Sequence, residues 1–184
     1  GGICLLDLVP NHQPLNLRSS GSAMGLVALR DELASQGVDE HELLENTGIN
    51  PSWFRSYSPS LSHQQRLGYI RNAQRLARVP ETALLAGRRQ RISDFGMYGY
   101  AMISSATFGE AVDFSFTHRE LSGAVLRISK ERRGDVVVFK THHPQAMGPL
   151  LPFVTEFWRS TVTSLFSQIL GRPFTAQRMF FPFP

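Results

Sequence analysis

The chain has 184 residues, of which 42% are apolar and 18% charged, so it can bury a sizeable core and does not read as disordered. Its net charge is +4, and no apolar run approaches the roughly 18 residues that span a bilayer, so neither the membrane nor the secretory class fits the composition. Cys4 is the only cysteine, which excludes an internal disulfide framework and a cysteine-built zinc site and points to a reducing, cytoplasmic setting.

Taken in order, residues 1–21 contain Pro10 and Pro14 and little periodicity, and are expected to be an irregular lead-in to a domain spanning 22–184. Ser22 can cap a helix carrying Met24, Leu26, Val27, Leu29 and Leu33 that ends at Gly37. Asp39 with Glu42 has capping-box spacing before a short helix with Leu43 and Leu44, closed by Gly48. Asn50-Pro51 opens a turn. Ser62 with Gln65 starts another helix, which carries Leu67, Ile70, Leu76 and Val79 and must end before Pro80. Pro80 suits the first position of a short helix reaching Gly87.

Charge is unevenly placed along this helical half. Asp31, Glu32, Asp39, Glu40, Glu42 and Glu45 form an acidic block without a Lys or Arg. Arg66, Arg71, Arg75, Arg78, Arg88, Arg89 and Arg91 follow, with only Glu81 among them. A phosphate-binding surface would show interleaved aromatics or a glycine-rich loop, and none accompanies these arginines. Pairing with the acidic block, or with a partner subunit, is the reading the pattern favours.

Residues 94–105 (DFGMYGYAMISS) are apolar almost all round and predict a buried helix, with Gly96 and Gly99 allowing a neighbour to approach. Thr107 with Glu110 starts a further helix through Ala111, Val112, Phe114 and Phe116. The texture then turns β-rich. Residues 124–129 (AVLRIS) and 136–142 (VVVFKTH) flank Arg133-Gly134-Asp135 and predict an antiparallel hairpin. A long amphipathic helix follows over 153–170, and the tail can add a strand over 176–181. Helices first, then a small antiparallel sheet packed with a long helix, make an α+β domain.

No P-loop, GxSxG, HExxH or GxGxxG pattern is present, so no catalytic apparatus, cofactor or metal site is expected. His142 and His143 are adjacent on a strand and point to opposite faces, which disfavours a shared metal. The ordinary reading of either is a hydrogen-bonded strand end; the functional one has an imidazole lining a ligand cavity. His12, His41, His63 and His118 read as surface residues. Glu156 and Arg159 have the spacing of a solvated ion pair. A cavity between the long helix and the hairpin can present Arg127 or Lys140 to an acidic effector, but Arg127 turns away if Leu126 and Ile128 are core. Tyr98 and Tyr100 need partners if buried, which makes them candidates for effector contact alongside Phe139, His142 and Trp158.

Over residues 43–54 (LLENTGINPSWF), and most specifically over Gly99-Tyr100-Ala101-Met102-Ile103-Ser104-Ser105-Ala106-Thr107-Phe108-Gly109-Glu110-Ala111, the chain resembles the N-terminal "arabinose-binding-like" domain of a non-cupin subfamily of AraC-type transcription regulators. Ala106 stands where that pattern has Pro, and Phe108 where it has Leu; both changes keep the Thr cap and the Glu. The resemblance covers roughly residues 22–184. It implies a bacterial domain for effector sensing, dimerisation or both, followed in the whole protein by a helix-turn-helix domain that is absent here. The chain is therefore expected to be a truncated piece of a longer regulator. The partners implied are a small-molecule effector, a second copy of the chain, and DNA only through the missing domain. The resemblance carries over no catalytic residue and no effector-contact motif. A purely structural interaction module is the competing reading, and an enzyme using His142 or His143 with Glu156 is a weaker third.

Overall fold

The structure is a computed structural model that describes residues 2–11, 20–54 and 60–180, with the side chains of 2–11, 20–22, 119, 120, 127 and 143–146 outside that description. The expectations for His12, and for the side chains of Arg127 and His143, fall outside it.

The chain opens with a strand, β1 (Gly2–Asn11), where an irregular lead-in was expected. After β2 (Ser20–Ser22) come α1 (Val27–Ser35), stopped by Gly37 at φ +77°, and α2 (Glu40–Leu44). The Asp39 carboxylate accepts the His41 N–H at 2.7 Å, so the aspartate caps α2, but through the second helical residue and not as a full box with Glu42. A short strand, β3 (Ser60–Ser62), pairs antiparallel with β2 and leads into α3 (His63–Leu76). Here the capping box is complete: Ser62 Oγ accepts the Gln65 N–H at 3.1 Å, and Gln65 Oε1 accepts the Ser62 N–H at 2.9 Å. Helix α3 stops well before Pro80, and α4 (Thr82–Arg89) starts just after that proline.

Helices α5 (Gly96–Ile103) and α6 (Phe108–Thr117) follow. Thr107 Oγ1 accepts the Glu110 N–H at 3.2 Å and Glu110 accepts the Ala106 N–H at 3.1 Å, which fixes the start of α6. Helix α5 corrects the sequence expectation. Tyr98, Gly99 and Met102 are buried, but Met97, Tyr100 and Ile103 are 75%, 62% and 51% exposed. Two turns of helix have only one side toward a neighbour, so an all-apolar segment leaves an apolar stripe in solvent. Gly99 does permit the close approach expected of it: a Cβ there would meet the Ile92 carbonyl oxygen, leaving no room for any side chain.

Strands β4 (Arg127–Arg133) and β5 (Val136–Pro144) form the expected hairpin, turning at Gly134 with φ +59°. Then come α7 (Leu151–Leu170), which has Pro152 in its first turn and is closed by Gly171 at φ +63°, and β6 (Arg178–Met179). The sheet order is β4-β5-β1-β6, with β1 parallel to both β5 and β6. The sheet is therefore mixed, and the antiparallel hairpin is one edge of it. Parallel pairing demands long connections. One holds the whole helical half between β1 and β5; the other is α7, between β5 and β6.

Three apolar clusters make the core. The largest joins α1–α4 to the first half of α7 through Leu29, Leu33, Leu43, Ile70 and Val154. A second joins α6, the hairpin and α7 around Val112, Phe139 and Phe166. A third holds Ile92, Tyr98, Met102 and Ala111 against Leu165 and Ile169. Helix α7 runs through all three. It packs closely on α4, where Ser160 Oγ donates to the Leu84 carbonyl at 2.7 Å and Ser164 Oγ to the Gln90 carbonyl at 3.0 Å.

The charge blocks meet across the helices. Glu32, 4% exposed, pairs with Arg89, and Glu45 with Arg75 at 3.6 Å. Arg78 donates to the Gly37 carbonyl at 2.9 Å. Arg66 is buried.

Candidate functional site

Where the three clusters meet, α7 does not close completely on its neighbours. A cavity of about 370 Å³ remains, within the size range of small-molecule sites. Its long wall is the stripe Val154, Phe157, Trp158, Thr161, Val162, Leu165 and Ile169, repeating at the helical interval. Opposite lie Tyr98 and Met102 of α5, Ala111 and Ser115 of α6, and Ile128 and Phe139 of the hairpin. The segment 122–126 also lines it.

Polar groups are few. The Tyr98 hydroxyl donates to the Ser115 carbonyl at 3.2 Å, and Ser115 Oγ donates to the Val112 carbonyl at 2.7 Å. Thr161 is different: its Oγ1 is buried and has no hydrogen-bond partner. A buried hydroxyl left unmet is uncommon, and those of Tyr69, Thr141 and Thr155, away from the cavity, share the condition.

Of the residues singled out from sequence, Tyr98, Phe139 and Trp158 stand on the cavity wall. Tyr100 does not. It is two residues along the helix from Tyr98, about 200° around the axis, and projects into solvent. His142 is also off the wall. It is three residues from Phe139 on one strand and so points to the other sheet face, where its Nε2 lies 2.8 Å from Ser129 Oγ. Lys140 shares that face and pairs with Glu131 at 2.8 Å. Glu131 also receives Arg133, and the two hydrogen bonds hold its carboxyl down at about 2. Met102, Ser115 and Thr161 were missed. Thr161 had a signal: it is the polar residue inside the apolar stripe of α7.

Two other expectations need correction. Arg159 is 2% exposed, so it is not half of a solvated pair with Glu156, whose carboxyl is raised by burial. His63 is 4% exposed, not a surface residue. Burial, with Arg66 nearby, holds its imidazole below the usual value. Among the described residues no group of three or more His, Cys, Asp or Glu side chains is placed to hold a metal, and no helix is long and apolar enough to cross a membrane.

Residues 37–184 match the family described as "Arabinose-binding domain of AraC transcription regulator, N-term". The chain is 25% identical over 173 residues to the ornithine utilization regulator of Pseudomonas aeruginosa, covering 94% of this chain and 51% of that protein. It thus spans about half the length of the curated relative it matches. No solved structure matches this chain.

Proposed function

This chain belongs to the family of N-terminal arabinose-binding domains of AraC transcription regulators, and on that premise we propose that it is the effector-sensing and dimerisation domain of such a regulator. Occupancy of the cavity beneath α7 biases DNA binding by a helix-turn-helix domain in the whole protein. The observation that carries this reading is the cavity itself: about 370 Å³ where the three core clusters meet, lined by apolar side chains with a few hydroxyls. A packed core leaves few voids larger than a water molecule.

The position of the cavity supplies the coupling. Helix α7 is at once its wall, the cover of the hairpin and the partner of α4. A ligand that fits one packing of α7 better than another shifts the population toward it. That change reaches β6 and whatever follows it in the whole protein.

A thermal-shift screen of the chain against a metabolite library tests the reading. A saturable rise in melting temperature with one compound class is expected by mass action. A cavity that binds nothing would leave the structural-module reading, which the exposed stripe Met97, Tyr100 and Ile103 favours. Light scattering with and without the active compound tests dimerisation.

A further inference from the structure

Among the described residues that line the cavity there is no Asp, Glu, Lys, Arg or His. Phe95, Phe116, Phe139, Phe157, Phe166 and Trp158 give it aromatic walls. The hydroxyls of Tyr98 and Ser115 are already engaged with backbone carbonyls. Ser122 Oγ receives the Ala124 N–H at 3.4 Å. Thr161 lines the same wall, but its Oγ1 has almost no accessible surface and no hydrogen-bond partner, so it faces away from the open space and a turn about χ1 is needed to bring it in.

We infer that the cavity takes an uncharged, mainly apolar ligand carrying one hydroxyl, carbonyl or ether oxygen that pairs with Thr161 once its hydroxyl turns inward. This rests on the reading of the domain as an effector sensor. An amino acid would bring an ammonium and a carboxylate into a site where none of the described lining side chains is charged, and unpaired charges are not buried. A sugar would bring several hydroxyls to one unused hydroxyl, stranding the rest. A ring or acyl chain with a single polar end strands nothing. It gains from burial against the aromatic walls and supplies Thr161 with its missing partner.

The test uses this chain with five probes: N-phenyl-1-naphthylamine, 1-decanol, decanoate, L-ornithine and L-arabinose. The neutral naphthylamine, whose emission rises in apolar surroundings, is titrated first and then displaced by the others. Saturable one-to-one binding is expected, with 1-decanol displacing it at least about tenfold better than decanoate, the same chain bearing a charge. Val162→Phe, which fills part of the cavity, abolishes binding of the naphthylamine and of 1-decanol. Thr161→Val, nearly the same shape, weakens 1-decanol about fivefold, the size of one lost hydrogen bond. It assigns the site even if Val162→Phe does not fold.

Cavity-dependent binding of decanoate, L-ornithine or L-arabinose as tight as that of 1-decanol overturns the ligand class and leaves the sensor reading standing. Failure of every probe to bind the wild-type chain removes both. Neutral-probe binding that survives both substitutions places the probe elsewhere and overturns the assignment.

Discussion

Gly87 of α4 lies so close to Ser160 of α7 that a Cβ added to the glycine would sit 2.5 Å from the Ser160 Cβ. The Phe157 carbonyl oxygen and the Thr161 nitrogen would each be 2.7 Å away. The glycine therefore sets the distance between the helix that walls the cavity and the helical layer behind it.

Gly87→Ala carries two opposed effects. Alanine is better than glycine inside a helix by about 1 kcal/mol. Forcing a methyl group against backbone displaces α7, and overpacking of this kind costs about 1–3 kcal/mol or more. The clash wins, and chemical denaturation should show net destabilisation. Ser160→Gly in the same chain should restore only part of it, because the backbone contacts remain. An alanine variant as stable as wild type would show that the two helices separate freely.

Tyr98→Phe and Tyr100→Phe should differ. The first removes the donor to the partly buried Ser115 carbonyl and should cost about 1 kcal/mol. The second removes a hydroxyl from a residue that is 62% exposed and should change stability by less than about 0.5 kcal/mol. Equal effects in urea unfolding would contradict the opposite placement of the two rings.

Thr161→Val tests the unmet hydroxyl without a ligand. The wild-type chain buries that hydroxyl with no partner, so replacing it by a methyl group should leave stability unchanged or raise it by up to about 1 kcal/mol. A loss of more than about 1 kcal/mol would mean that Thr161 bonds within the folded chain.

His63 gives the fold a pH dependence. Burial first, and Arg66 second, lower its imidazole below the usual histidine value of 6.5, so the unfolded chain binds a proton that the folded chain resists. The stability this represents is present in full above pH 6.5, the unfolded value, and is lost as pH falls from there through the lowered folded value. His63→Gln should flatten the melting temperature between pH 7 and about pH 5. An unchanged slope in the variant would assign that dependence to other groups.

The helices were legible in the chain because their signals are local. Ser62 and Gln65, Thr107 and Glu110, Gly37 and Gly171 stand within a few residues of the ends they make. The hairpin was legible for the same reason, with Gly134 between two β-branched runs. The stripe of α7 was visible as periodicity, and it contained Trp158 and the residues around Thr161.

Strand β1 was not legible as part of the sheet. Its partners, β5 and β6, lie more than a hundred residues away, and a parallel pair has no turn between its strands to announce it. Nor did apolar composition reveal which side of α5 would be covered, since that depends on where Ile92 and α6 come to rest.

The sequence by itself determined the α+β class, several helix ends, the hairpin and the family resemblance, because caps, turns and periodicity act over a few residues; Ser22 does not cap α1, which starts at Val27, and α3 stops at Leu76, short of Val79. Only the tertiary structure decided that β1 enters the sheet, that Tyr98 faces inward while Tyr100 faces out, and that a cavity without a described charged wall lies under α7. Those outcomes depend on which distant surfaces meet, and they are fixed by the packing of the whole chain.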